Sequence, residues 1–140
     1  MTKGIVFVLM ASGFLVTAAA GCATKPKGPT PADLIAAMAM QAAKAMHDQD
    51  VDKLLANFSE SFKCNEFPTK GDLKDFLAMA KQNGLAKGVD LNLQDAKTSV
   101  EKNTFTLSGV DVVGAFGQVG LSFEGGKING EWKITGMSVY

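Results

Sequence analysis

This sequence of 140 residues contains no arginine, and its net charge is zero. All 14 basic residues are lysines, so the chain lacks the planar guanidinium fork that most often binds carboxylate or phosphate with two hydrogen bonds. A protein that binds nucleic acid usually shows an excess of basic residues, whereas 14 acidic residues balance the lysines here. We therefore expect no nucleic acid among the partners of this protein.

Cysteine and histidine are also scarce. The chain has two cysteines, Cys22 and Cys64, and one histidine, His47. If Cys22 is modified, one histidine and one thiol are too few for a zinc site, and we expect neither a metal nor another cofactor. Cys64 would then have no partner within the chain. Its expected state is burial, because a free cysteine behaves as a small apolar side chain.

The amino-terminal segment has the features of a cleaved signal peptide. Lys3 precedes an apolar run over residues 5–20, which is shorter than the ~20 residues of a membrane-spanning helix and ends in small side chains. The stretch Ala19-Ala20-Gly21-Cys22 resembles a bacterial lipobox. That resemblance implies that residues 1–21 are removed and that Cys22 carries palmitate-type acyl chains.

A lipidated Cys22 would hold the mature protein at a membrane, because each buried methylene of an acyl chain adds to membrane affinity. Residues 22–30 would form a short tether between the lipid and the folded domain. In Gram-negative lipoproteins an aspartate after the modified cysteine is typical of the inner membrane, so the resemblance, with Ala23 in that place, implies the outer membrane of the cell envelope, facing the periplasm. An ordinary signal peptide cleaved near Ala20 and an uncleaved anchor are the alternatives.

Apolar residues recur at helical spacing in the segment that follows the tether. A capping-box pattern predicts a first helix over residues 31–48, and a short amphipathic pattern predicts a second over residues 51–59. A third helix is expected to begin after Thr69 and to end at Gly84. Weak alternation over residues 61–67 predicts a short strand between the second and third helices.

From residue 88 onward the apolar period changes from helical to two-fold. Four strands are predicted at residues 89–93, 104–113, 119–123 and 132–140, with turns at 101–103, 125–127 and 129–130. Short turns between successive strands favour antiparallel pairing, and glycines within the strands allow the sheet to bend. The sequence therefore predicts an α+β domain, with three N-terminal helices packed on a curved antiparallel sheet of four to six strands.

The order and spacing of these elements resemble a known superfamily. Asp50-Val51-Asp52 before the second helix, Phe58-Ser59-Glu60-Ser61-Phe62 after it and Gly130-Glu131-Trp132-Lys133-Ile134-Thr135-Gly136 near the end resemble the nuclear-transport-factor-2-like superfamily. The resemblance covers residues 31–140 and implies a cone-shaped domain whose helices and curved sheet enclose a pocket. A cystatin-like sheet wrapped on one helix is the alternative fold.

Few polar residues are candidates for chemistry in such a pocket. If Leu107 faces inward, strict alternation places Asp111 inside too, where it could act as a base, but a bulge at Gly109 would turn it outward. His47 is a second candidate base. The adjacent Asp48 would point in a different direction on a helix, so a surface histidine at a helix end is the alternative. We assign no catalytic residue from the sequence.

Three functions from different classes follow from these observations. We favour a membrane-anchored envelope lipoprotein without enzymatic activity, whose domain binds a small apolar ligand or a protein partner. The second is a structural or assembly module that forms a homodimer through the sheet face bearing Thr104, Thr106, Ser108 and Val110. The third is an isomerase-type or hydrolase-type enzyme that uses a pocket carboxylate such as Asp111.

Overall fold

A computed structural model describes residues 28–140 of the chain. The predicted signal peptide over residues 1–21, the lipidated Cys22 and the tether up to residue 27 lie outside the described residues and stay predictions. Residues 28–30 are exposed and precede the first helix. No helix in this described part of the chain is long and apolar enough to cross a membrane.

Three helices form in the order that the sequence predicts: α1 (Pro31–His47), α2 (Val51–Leu55) and α3 (Lys70–Gln82). The Thr30 hydroxyl accepts a hydrogen bond from the Asp33 backbone N–H at 3.2 Å, while the Asp33 carboxylate accepts one from the Thr30 N–H at 2.9 Å. A second capping box, of the same kind, begins α3. The predicted positions of α1 and α3 are confirmed, whereas α2 ends four residues earlier than expected.

Six strands form one curved, unclosed sheet in the order β1-β6-β5-β4-β2, and β3 also pairs with β4. The predicted α+β class is confirmed. Neighbouring strands are antiparallel except β1, which is parallel to β6, so the expectation of a wholly antiparallel sheet needs that correction. The strands are β1 (Phe58–Lys63), β2 (Asp90–Asn92), β3 (Lys97–Glu101), β4 (Thr104–Gly114), β5 (Gly117–Ile128) and β6 (Glu131–Val139).

Three local predictions are wrong. Strand β1 begins at Phe58, within the segment predicted as the second helix, and ends at Lys63. Strand β3 was not predicted. The expected turn at residues 125–127 is instead the end of strand β5, where the pairing register with β6 shifts between Glu124 and Gly125.

Strand β4 contains a bulge at Gly109, which has a φ of +71°. The pairing register between β4 and β5 shifts between Leu107 and Val110, so residues on both sides of the bulge face the core. Val110 is 1% exposed and lies in the core. It therefore does not belong to the outer sheet face where the dimerisation hypothesis placed it.

The hydrophobic core lies between α1 and the inner face of the sheet. Ile35, Phe62 and Val110 are its largest fully buried side chains, and the Phe58 and Phe62 rings meet edge to face with centroids 5.0 Å apart. Residues 28–140 thus contain a hydrophobic core of their own, which is what a domain needs in order to fold alone.

Candidate functional site

The helices and the inner face of the sheet do not fill the space between them. A cavity of about 820 Å³ lies there, within the roughly 300–1,000 Å³ typical of small-molecule sites. Thirty residues line it, and only Glu66 and Lys87 among them have polar side chains. The cavity is therefore suited to an apolar molecule.

One wall of the cavity comes from α1 and α3. Residues four apart on a helix share a face, which is why Met38, Ala42 and Met46 of α1 all reach the cavity. Alanines contribute much of this wall, including Ala39 and Ala80, and their short side chains leave the space open. The α3 side chains in this wall are Leu73, Phe76, Leu77 and Ala80.

The opposite wall is the inner face of the sheet. On β5 the lining residues alternate along the strand, and on β4 the bulge at Gly109 restores the apolar face after Leu107. Every side chain that the central strands turn toward the cavity is aliphatic or aromatic. The main contributions are Leu107, Val110 and Val112 from β4, and Val119, Leu121 and Phe123 from β5.

Large apolar side chains line the cavity and also reach solvent, so they mark its opening. Leu85, in the turn after α3, is 65% exposed, and Phe116, in the turn between β4 and β5, is 61% exposed. Sequence reasoning missed both residues. The available signal was a large apolar side chain next to a turn glycine, Gly84 in one case and Gly117 in the other, where a polar residue is more usual.

Neither candidate base lines the cavity. Asp111 is half-buried between Val110 and Val112, both of which face the cavity, so its carboxylate belongs to the opposite face of the sheet. The inward position derived from strict alternation is wrong, because the bulge at Gly109 adds a residue to β4.

His47 lies at the end of α1, outside the cavity. Its Nδ1 is 2.7 Å from Oδ1 of Asp90 at the start of β2, and both side chains are largely exposed. The neighbouring Asp48 instead accepts a hydrogen bond from Lys44 at 2.7 Å. The carboxylate that orients His47 is therefore that of Asp90 and not that of the adjacent Asp48. Neither His47 nor Asp90 lines the cavity.

Cys64 is half-buried at the end of β1 and packs against the edge of the core. Burial raises the pKa of its thiol, and the backbone N–H of Phe67, which donates to Sγ at 3.3 Å, partly opposes that rise. The burial expected of Cys64 is thus only partial, and its side chain packs against the core. Among residues 28–140, no cluster of histidine, cysteine, aspartate and glutamate could hold a metal ion.

Comparison with known proteins defines the fold. No protein-family model matches this chain, and no curated protein matches it in sequence. A protein of unknown function with a cystatin-like fold from Nostoc punctiforme superposes with a TM-score of 0.63 at 19% identity, covering 79% of this chain and 91% of its own. The chain has the fold of cystatin-like and nuclear-transport-factor-2-like proteins.

Two further structures with this fold are of nuclear-transport-factor-2-like proteins. A nuclear-transport-factor-2-like protein of unknown function from Pseudomonas putida has a TM-score of 0.62 at 11% identity, covering 75% of this chain and 82% of its own. Another, from Cytophaga hutchinsonii, has a TM-score of 0.59 at 15% identity, covering 79% and 97% respectively. At these identities the likeness concerns the fold and not an activity.

Proposed function

We propose that this protein is an envelope lipoprotein, anchored at Cys22, whose domain binds a small apolar ligand in the cavity. The cavity carries the proposal, because about 820 Å³ of open space has a lining in which only two side chains are polar. Binding in such a site is favoured because apolar surface of the ligand is removed from water. A polar substrate would find almost no side-chain partners for its hydrogen bonds. A binding function without catalysis fits this lining.

Saturable binding of a fluorescent apolar probe, N-phenyl-1-naphthylamine, to residues 28–140 tests the ligand site. We expect one probe per domain, confirmed by native mass spectrometry, and loss of binding when the protein is unfolded in urea. Ala80→Phe places a ring in the cavity wall and should weaken binding. Ala78→Phe is the matched control, because Ala78 lies on the same helix but is exposed and does not line the cavity.

Circular dichroism of both variants separates a filled cavity from an unfolded domain. If Ala80→Phe does not fold, Ala42→Leu offers a smaller change in the same wall, on α1. A folded wild-type domain that takes up no probe would contradict the ligand-binding function. Equal weakening by Ala80→Phe and Ala78→Phe would place the probe elsewhere on the domain.

The anchor is tested separately on the full chain. Labelling with radioactive palmitate in a bacterial host should mark the wild-type protein and the Cys64→Ser variant, but not Cys22→Ser. Membrane fractionation of the same cells should place the labelled protein in the outer membrane. Absence of label from the wild type, or a processed amino terminus other than Cys22, would contradict lipidation and leave the ligand-binding test unaffected.

A further inference from the structure

The distribution of polar groups around the cavity indicates what kind of apolar molecule it takes. The lining contains no hydroxyl, amide, imidazole or indole side chain. A ligand group that needs a hydrogen bond would therefore lose its water inside the cavity and gain no side-chain partner. Any polar part of the ligand must stay near Lys87 or Glu66.

Lys87 lies at the opening of the cavity. It follows Leu85 by two residues in the turn between α3 and β2, and both are exposed although both line the cavity. The apolar stem of a lysine can lie along such a rim while the ammonium group stays in water. A cation at the edge of a low-dielectric cavity attracts an anionic group in its neighbourhood.

The Lys87 ammonium has no ion-pair partner among residues 28–140. Five other lysines of this part of the chain are ion-paired, among them Lys70 with Glu60 at 2.6 Å and Lys44 with Asp48 at 2.7 Å. Lys87 is the one unpaired lysine of residues 28–140 that lines the cavity. Glu66, the second charged residue of the lining, lies in the loop that holds Cys64, and its carboxylate contributes to raising the pKa of that thiol, after burial. Glu66 forms no ion pair among residues 28–140 either, but Lys87 lies two residues from Leu85, the exposed apolar side chain that marks the opening.

We infer that the ligand is a single-chain amphiphile with an anionic head group, a class that includes fatty-acid carboxylates. Its hydrocarbon chain lies in the cavity, and its head group meets Lys87 at the opening. This inference rests on the proposed ligand-binding function and adds a chemical class and an orientation to it. It also makes Lys87 a specificity-determining residue.

The first test concerns the hydrocarbon chain of the ligand. Residues 28–140 are titrated in a calorimeter with octanoate, decanoate and dodecanoate, all below their micellar concentrations. Each added methylene should lower Kd by about fourfold while the cavity accommodates it. Dodecanol carries the same chain without the charge. Because the Lys87 contact is exposed, we expect dodecanoate to bind only about twofold to fivefold more tightly than dodecanol.

Variants at Lys87 test the head group. Lys87→Ala should abolish the preference for dodecanoate over dodecanol, and Lys87→Glu should reverse it, with each preference taken as the ratio of the two Kd values measured on the same variant. Lys97→Ala is the matched control, because Lys97 is exposed on β3 and does not line the cavity. It should keep the wild-type preference.

Distinct results overturn the inference and the proposed function. If dodecanoate and dodecanol bind equally and Lys87 variants change neither, the anionic head group is wrong while apolar binding stands. Tighter binding of dodecyltrimethylammonium than of dodecanoate would assign the head group to Glu66 and a cation. Extraction of intact phosphatidylglycerol from vesicles in preference to dodecanoate would overturn the single-chain class. If none of these molecules binds but N-phenyl-1-naphthylamine does, the inference alone fails; if the probe does not bind either, both proposals fail.

Discussion

A β-carbon on Gly109 would overlap the carbonyl oxygen of Asp95. Asp95 lies in the turn between β2 and β3, and these two short strands pair with β4 on either side of the bulge. The connection between them therefore passes directly over Gly109. The bulge and the close approach occur together, and together they turn Val110 and Val112 toward the cavity and Asp111 away from it.

We expect Gly109→Ala to destabilise the domain by more than Gly84→Ala does. Both glycines have positive φ, and an L-residue in that conformation costs about 1–2 kcal/mol. Only Gly109 has backbone atoms in the way, because nothing lies within 4 Å of a β-carbon at Gly84. Urea unfolding followed by the fluorescence of Trp132 gives the two free energies. Equal losses would mean that the Asp95 loop moves aside freely.

Enlarging an alanine should have opposite effects on two neighbouring turns of α1. Ala42 lines the cavity, whereas Ala45 is equally buried but does not. Ala42→Leu adds apolar surface to open space, so we expect stability within about 1 kcal/mol of the wild type or higher. Ala45 borders a second pocket of only about 20 Å³, which is too small for the added side chain, so Ala45→Leu should overpack the site and cost about 1–3 kcal/mol. The free energy of unfolding measures both, and a similar cost at both positions would contradict an open cavity.

The capping box of α1 predicts a specific loss of stability in acid. The Thr30 backbone N–H, and to a smaller extent its hydroxyl, lower the pKa of Asp33 below the ordinary 3.8. The contribution is therefore complete above pH 3.8 and is lost as the pH falls through the lower, folded-state pKa. Asp33→Asn should flatten the stability curve in that range. Asp75→Asn is the control, because Asp75 is exposed on a different helix, α3; this substitution should leave the shape of the stability curve unchanged. Parallel curves for the wild type and Asp33→Asn would contradict the role of the cap.

Cys64 should react slowly with a thiol reagent in the folded domain. Burial raises the pKa of its thiol above the ordinary 9.0, and the thiolate is the reactive form. In residues 28–140, which lack Cys22, we expect slow modification by Ellman's reagent at pH 8 and fast modification in urea. Ser99→Cys in a Cys64→Ser background provides an exposed thiol on β3 for comparison. Equal rates for the two folded thiols would mean that Cys64 is not protected.

Local chemistry made α1 and α3 predictable, since each begins with a capping box that acts within four residues. The spacing of Phe58 and Phe62 was misleading because residues four apart share a face in both a helix and a strand. The strand forms because β6 pairs with it, and that partner lies more than 70 residues further along the chain. The sequence does not predict strand β3, because its half-buried face consists of only two side chains, Thr98 and Val100.

The apolar character of the cavity was predictable in part, whereas its volume was not. The sequence shows that an alanine such as Ala39 belongs to an apolar face, but it does not show whether another side chain fills the space beside it. Lys87 looked like any surface lysine, because its neighbours in sequence do not show that it borders a cavity. The direction of Asp111 depended on whether Gly109 forms a bulge, which the sequence offers as an alternative but does not decide.

The position of β6 determines when the domain can assemble. Strand β6 separates β1 from β5 in the sheet, although β1 precedes it in sequence by about half the chain. While residues 131–139 are still missing from a growing polypeptide, β1 has no sheet neighbour and the core residue Ile134 is absent. Synthesis from the amino end therefore produces an open chain first, and folding follows the arrival of the last strand.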